Sequence, residues 1–169
     1  MRGFTLIEFM VTLAVASLLI FVAVPGFYSV MQNNRVITAS NKMVATFHYA
    51  RGEAVRRGVP VIVCASAGAA LNSCSANSVD WRNGWIVFAD ADGDTAINSA
   101  DDILRVSENL DTNTAVAADR SSVTYTSTGF LNGVAFSTRI SASKCYGNNA
   151  REISISATGR IAVSRINCS

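Results

Sequence analysis

The chain has 169 residues, a formal net charge of +2, and charged side chains at 15% of positions against 50% hydrophobic ones. Such a balance excludes a strongly basic nucleic-acid binder and an acidic disordered chain, and the length allows about one domain. The first two dozen residues are far more apolar than the rest, so the globular part is smaller than the total length.

From Phe4 to Val24 the sequence reads FTLIEFMVTLAVASLLIFVAV, about the number of apolar residues that crosses a bilayer as a helix, with Glu8 as its single charge. Arg2 and Gly3 precede the run. A secretory signal would instead carry small residues at a cleavage site beyond its apolar core, so processing is expected before the run, on the cytoplasmic side. The positive-inside rule keeps Arg2 in the cytoplasm and sends everything after Val24 outwards. Glu8 has no Lys or Arg three or four residues away on its own helix. A carboxylate in hydrocarbon costs several kcal/mol unless it is neutralised, so its partner is a proton, a lipid headgroup or a cation on another chain.

After Pro25 and Gly26, which weaken or bend a helix, apolar residues recur at Val36, Met43, Phe47, Ala50 and Ala54. This spacing predicts an amphipathic helix with one face on a core, while Arg35, Asn41, Lys42 and Arg56 take other faces. Gly58 can cap it in the left-handed conformation, and Pro60 prevents its resumption. A helix from Phe4 to about Arg57 would be on the order of 80 Å long. His48 is expected at its surface.

Beyond Gly58 the chain breaks into short β-rich runs: 59–64, 85–89, 103–106, 123–126, 134–140, 151–156 and 160–166, separated by Gly, Asn, Asp and Ser. Ile153 and Ile155 alternate in one run and Ile161 and Val163 in the next, with Thr158-Gly159 as the turn between them. The fold class is α+β: a long N-terminal helix on a C-terminal antiparallel β-sandwich or curled β-sheet. The divisions are 1–3, a leader; 4–24, a transmembrane segment; 25–57, the amphipathic continuation; and 58–169, a β-rich globular domain.

Four cysteines follow the apolar segment, where an exported domain meets an oxidising compartment. Three connectivities are open; short loop closure favours Cys64 with Cys74 and Cys145 with Cys168. The cysteine spacing and a single distant His48 do not suit zinc. Asp90, Asp92, Asp94, Asp101 and Asp102 surround Gly93 and make the first three weak calcium candidates, but glycine falls at position four of an EF-hand register instead of six. The alternative is a solvated loop whose aspartates cap turns. No second histidine, G-x-S-x-G or P-loop exists from which to assemble an active site, so no enzyme and no cofactor are expected.

Gly3-Phe4-Thr5-Leu6-Ile7-Glu8 resembles the processing motif of type IV pilins and type II secretion pseudopilins. The resemblance implies that a prepilin peptidase cuts after Gly3, that Phe4 becomes an N-methylated terminus, and that Glu8 meets the terminal amine of a neighbouring subunit during assembly. Pro25 matches the family's helix-kink position. The stretches ARGEAVRRG (50–58), NGWIVFADADGD (83–94), ILR (103–105) and ATGR (157–160) narrow the resemblance to the GspH/FimT/FimU group of minor pilins and pseudopilins. It implies a low-abundance subunit for pilus initiation or the tip, with other minor and major pilins, the prepilin peptidase and inner-membrane lipid as partners. The implied location is the inner membrane with a periplasmic domain, then the cell-surface pilus. One alternative is a type II secretion pseudopilin. Another is a DNA-binding minor pilin for natural transformation, with Arg160 and Arg165 as phosphate contacts. DNA receptors of the FimT branch carry Gly-Arg-any-Arg; here the corresponding residues are Gly159-Arg160-Ile161-Ala162, and a regular strand would turn Arg165 to the opposite face.

Overall fold

The computed structural model describes residues 3–68, 70–77, 79–98, 101–145 and 147–168, without the side chains of 22–26. Helix α1 runs from Leu6 to Arg57, about 78 Å at 1.5 Å per residue. It starts two residues later than expected because Thr5 is extended and acts as the N-cap, its hydroxyl accepting from the Glu8 N–H at 3.3 Å. It stops at Gly58, which takes φ 72° and donates its N–H to the Ala54 carbonyl. The helix continues through position 25; the side chain of Pro25, and with it the expected kink, lies outside the described residues.

Among the described residues eight strands follow: β1 Val61–Ala65, β2 Trp85–Ala89, β3 Asp102–Ser107, β4 Thr114–Ala118, β5 Ser122–Tyr125, β6 Phe136–Ala142, β7 Ala150–Ile155 and β8 Ile161–Ile166. They form two antiparallel four-stranded sheets, ordered β3-β2-β1-β5 and β4-β6-β7-β8. Strand β4 was not expected from the sequence. Its TAVAA composition is rich in alanine, a residue of weak strand preference, and it is held by pairing to β6 and by burial of Thr114 and Val116.

Val36, Met43, Phe47, Ala50 and Ala54 are all buried, so the sequence-predicted helix face does meet the core. Helix α1 packs on both sheets, against Val61, Val63 and Trp85 of one and Phe136, Ile140, Ile153 and Ile155 of the other. Phe47, Trp81 and Phe136 pack ring against ring at the centre, with centroids 5.5 to 6.1 Å apart. The Trp85 indole N–H donates to Thr46 Oγ1 at 3.1 Å, which satisfies two polar groups in this core. The far side of the first sheet has its own apolar patch: Ile62, Cys64, Ile86 and Phe88, covered by Cys74 and Ile97 from the loops.

Candidate functional site

Three places in the fold concentrate the chemistry noted in the sequence: the start of α1, the acidic loop between β2 and β3, and the basic end of the second sheet.

Gly3 and Phe4 precede the helix and are exposed, and no atom stands within 4 Å of a side chain placed at Gly3. Thr5-Leu6-Ile7-Glu8 has the S/T-x-x-E order of a capping box, and Glu8 lies in the first turn, where a negative charge favours the helix dipole. This local role for Thr5 and Glu8 was readable in the sequence and was missed there. Every described side chain from Phe4 to Phe21 and from Phe27 to Met31 is exposed, including Leu13, Leu18, Leu19 and Ile20. Among the described residues nothing covers this apolar half. Among the described residues no helix is long and apolar enough to cross a membrane, the side chains of 22–24 that complete the apolar run lying outside them. Arg2 also lies outside the described residues.

Both cysteine pairs are disulfides, Cys64–Cys74 with Cα atoms 5.6 Å apart and Cys145–Cys168 with Cα atoms 5.5 Å apart. The first pins a loop over the outer face of β1; the second ties the end of β8, an edge strand, to the segment after β6.

In the acidic loop, Asp90, Asp92 and Asp94 each place a carboxylate oxygen within 4.8 Å of the others. Their oxygens already accept hydrogen bonds: Asp90 from the Gly93 N–H at 2.8 Å, and Asp92 and Asp94 from the Asn98 amide at 2.8 and 3.0 Å. The Asn98 side chain thus stands between the two carboxylates that a cation would bridge. Its hydrogen bond, followed by the Asp94 N–H, holds the Asp92 carboxyl below its ordinary range. Asp101 belongs to the same network through the N–H groups of Ala91 and Asn98, whereas Asp102 pairs with Arg57 at 2.9 Å. The loop is built as a hydrogen-bonded cover that carries Ile97 onto Ile86 and Phe88.

Arg160 lies in the β7–β8 turn, and Arg165 lies in β8 opposite Arg151. Strand pairing sets Arg165 beside Arg151, whereas Arg160 precedes the paired residues, so β8 does not bring the two arginines together. The turn is clamped by a residue the sequence reading passed over, Arg51 of α1. Its guanidinium donates to the carbonyls of Gly159 at 3.0 Å and Thr158 at 3.2 Å. Gly159 has φ 77°, and a Cβ there would lie 2.3 Å from the Gly129 carbonyl oxygen. The ATGR stretch therefore needs its glycine for backbone geometry and close approach.

A long helix with an uncovered apolar half, seated on disulfide-stapled antiparallel sheets, is the architecture of a pilin-like subunit. Residues 1–24 match the prokaryotic N-terminal methylation motif, and residues 39–159 match the family described as type II transport protein GspH. The chain belongs to the GspH family of minor pilins and pseudopilins, a family of structural subunits. Its fold is similar to that of the type IV minor pilin FimU of Pseudomonas aeruginosa strain PAO1. One crystal form of that protein gives TM-score 0.59 at 20% identity, covering 78% of this chain and 89% of that one. A second gives 0.57 at 20% identity, covering 75% and 90%. No curated protein matches the sequence significantly.

Proposed function

We propose that the chain is a minor type IV pilin that takes part in initiation or tip assembly of the pilus. The observation that carries this reading is the apolar first half of α1, exposed along its described length and preceded by an exposed Gly3-Phe4 bond. An uncovered apolar surface of this extent calls for lipid or for neighbouring subunits. Residues 4–24 hold the chain in the inner membrane, with 58–169 as the periplasmic domain. A prepilin peptidase then cuts after Gly3, and Phe4 is N-methylated. Cleavage at that bond leaves the Thr5 cap, and hence the whole helix, intact.

In the filament, the helix meets those of other minor and major pilins. The Glu8 carboxylate and a neighbour's terminal ammonium each lose hydration on burial, and their mutual attraction offsets that loss only when they meet, which fixes the register of entry. Substituting Glu8→Ala tests this role: processing and membrane insertion should persist while recovery in sheared filaments falls. Normal incorporation of the variant would remove Glu8 from assembly.

The family description, a type II transport protein, favours a second reading as a secretion pseudopilin. Co-purification of the full chain with pilus minor subunits supports the first reading, and with secretion-system subunits the second.

A further inference from the structure

Acidic and basic groups pair with one another at the far end of α1, where Arg56 and Arg57 meet Glu53. At the far end of the helix lie Glu53, Asp102 beside Arg57, and the Asp90–Asp94 loop. At the end where the apolar half emerges lie Arg35, Lys144, Arg151 and Arg165.

Two contacts fix the level of these cations. A cleft of about 340 Å³ between α1 and the end of β6 is lined by Tyr28, Gln32, Arg35, Asn113, Ser143 and Lys144, all of which can donate a hydrogen bond. Elsewhere on the second sheet, Arg151 donates to Asn33 Oδ1 at 3.2 Å. Arg165 is its direct cross-strand neighbour on the same face, an arrangement of like charges that destabilises a sheet when nothing neutralises it. Burial first, and the charge of Arg165 second, hold the Arg151 guanidinium below its ordinary pKa. Neither arginine has a carboxylate within ion-pair distance among the described residues, whereas Arg35 has Asp111 at 3.7 Å.

Helix geometry sets these groups against a bilayer. Measured from Val24, where the apolar run ends, Tyr28 lies about 6 Å, Asn33 about 14 Å and Arg35 about 16 Å along the axis. The headgroup layer is roughly 5–8 Å thick on each side of the hydrocarbon, and its surface charge acts over about another 8 Å at physiological ionic strength. The four cations fall within that zone, and the far end of the helix at Arg57, where acids and arginines pair, is about 33 Å further out.

We infer that the helix-exit end of the domain, formed by Arg35, Lys144, Arg151 and Arg165, docks on anionic phospholipid headgroups and holds the subunit against the membrane before assembly. This rests on the membrane-inserted state given under Proposed function. The cleft at Tyr28 and Lys144 takes a headgroup phosphate, and the Arg151–Arg165 pair takes a second one, which relieves their mutual repulsion.

The full chain is reconstituted in vesicles of phosphatidylcholine alone or mixed with phosphatidylglycerol, and hydrogen exchange is followed at Ser143, Lys144 and strand β8. The result expected is exchange slowed about fivefold or more by the anionic lipid. That protection should vanish at high salt and in a Lys144→Gln, Arg151→Gln, Arg165→Gln variant whose guanidinium midpoint matches the parent. Flotation of the chain with both vesicle types but equal exchange in the two would overturn the docking and leave the membrane reading standing. Failure to float with either would overturn the membrane reading and the docking with it. Equal protection by inorganic phosphate in phosphatidylcholine vesicles would make this a free-phosphate site, and displacement of the lipid effect by double-stranded DNA a nucleic-acid surface; each would overturn the inference.

Discussion

Substituting Gly159→Ala perturbs one atom and engages three structural constraints. An alanine held at φ 77° costs about 1–2 kcal/mol in backbone strain. Its Cβ would sit 2.3 Å from the Gly129 carbonyl oxygen, so the β7–β8 turn must move away. That movement draws the Gly159 and Thr158 carbonyls from Arg51, whose charged hydrogen bonds are typically worth about 1.5–3 kcal/mol each. With the exposed bond to Thr158 discounted and the part-buried one to Gly159 lost, the expected loss is about 3–5 kcal/mol. Gly58→Ala supplies the control, since Gly58 has φ 72° but open space around it and should lose only the backbone strain of about 1–2 kcal/mol. The assay is guanidinium unfolding of the full chain in detergent with disulfides intact, followed by fluorescence of the buried Trp81 and Trp85. Arg51→Gln should cost little more once Gly159→Ala is present, because the two remove the same contacts. Equal losses at Gly159 and Gly58, or full additivity with Arg51→Gln, would refute the reasoning.

Glu53 is held at about 2, below its ordinary 4.5, by hydrogen bonds from Arg56 and then Arg57. Its contribution to folding stability is therefore fully present above pH 4.5 and lost as pH falls towards 2, so acid titration of Glu53→Gln should show a shallower loss across that window. Among the described residues the buried Tyr125 hydroxyl has no partner, and burial pushes its pKa up. Tyr125→Phe should leave stability unchanged or raise it by about 1 kcal/mol in thermal unfolding, and a loss above that size would show that the hydroxyl is satisfied in solution. Replacing Cys145 and Cys168 together by serine opens a loop of sequence separation 23 and should cost about 3 kcal/mol in the same denaturant assay, with β8 the first strand to lose exchange protection.

The helix was legible because its signals agree: the spacing from Val36 to Ala54 is helical, and Gly58 and Pro60 end it. Strand β2 matched its expected limits because WIVFA is strongly β-forming, whereas β4 was invisible because alanine says little about strands until a partner is given. At the candidate sites, local motifs read well and long-range partners did not. The cysteines paired by sequence proximity are bonded in the structure. Arg51 meets Gly159 across 108 positions, and Arg151 meets Asn33 across 118, separations at which no local pattern carries information. In the acidic loop the spacing of the aspartates was legible, and Asp90, Asp92 and Asp94 do come together, whereas their hydrogen bonds from Asn98 and backbone N–H groups were not readable from that spacing.

The central claim is that this chain is a processed, assembling subunit, and the most direct measurement is the N-terminal mass of the chain recovered from cells with an active prepilin peptidase, in the sheared surface fraction. The account predicts a chain that has lost Met1 to Gly3 and begins at a Phe4 carrying one added methyl group. A chain that keeps Met1 to Gly3 while the same cells process their other pilins would contradict it.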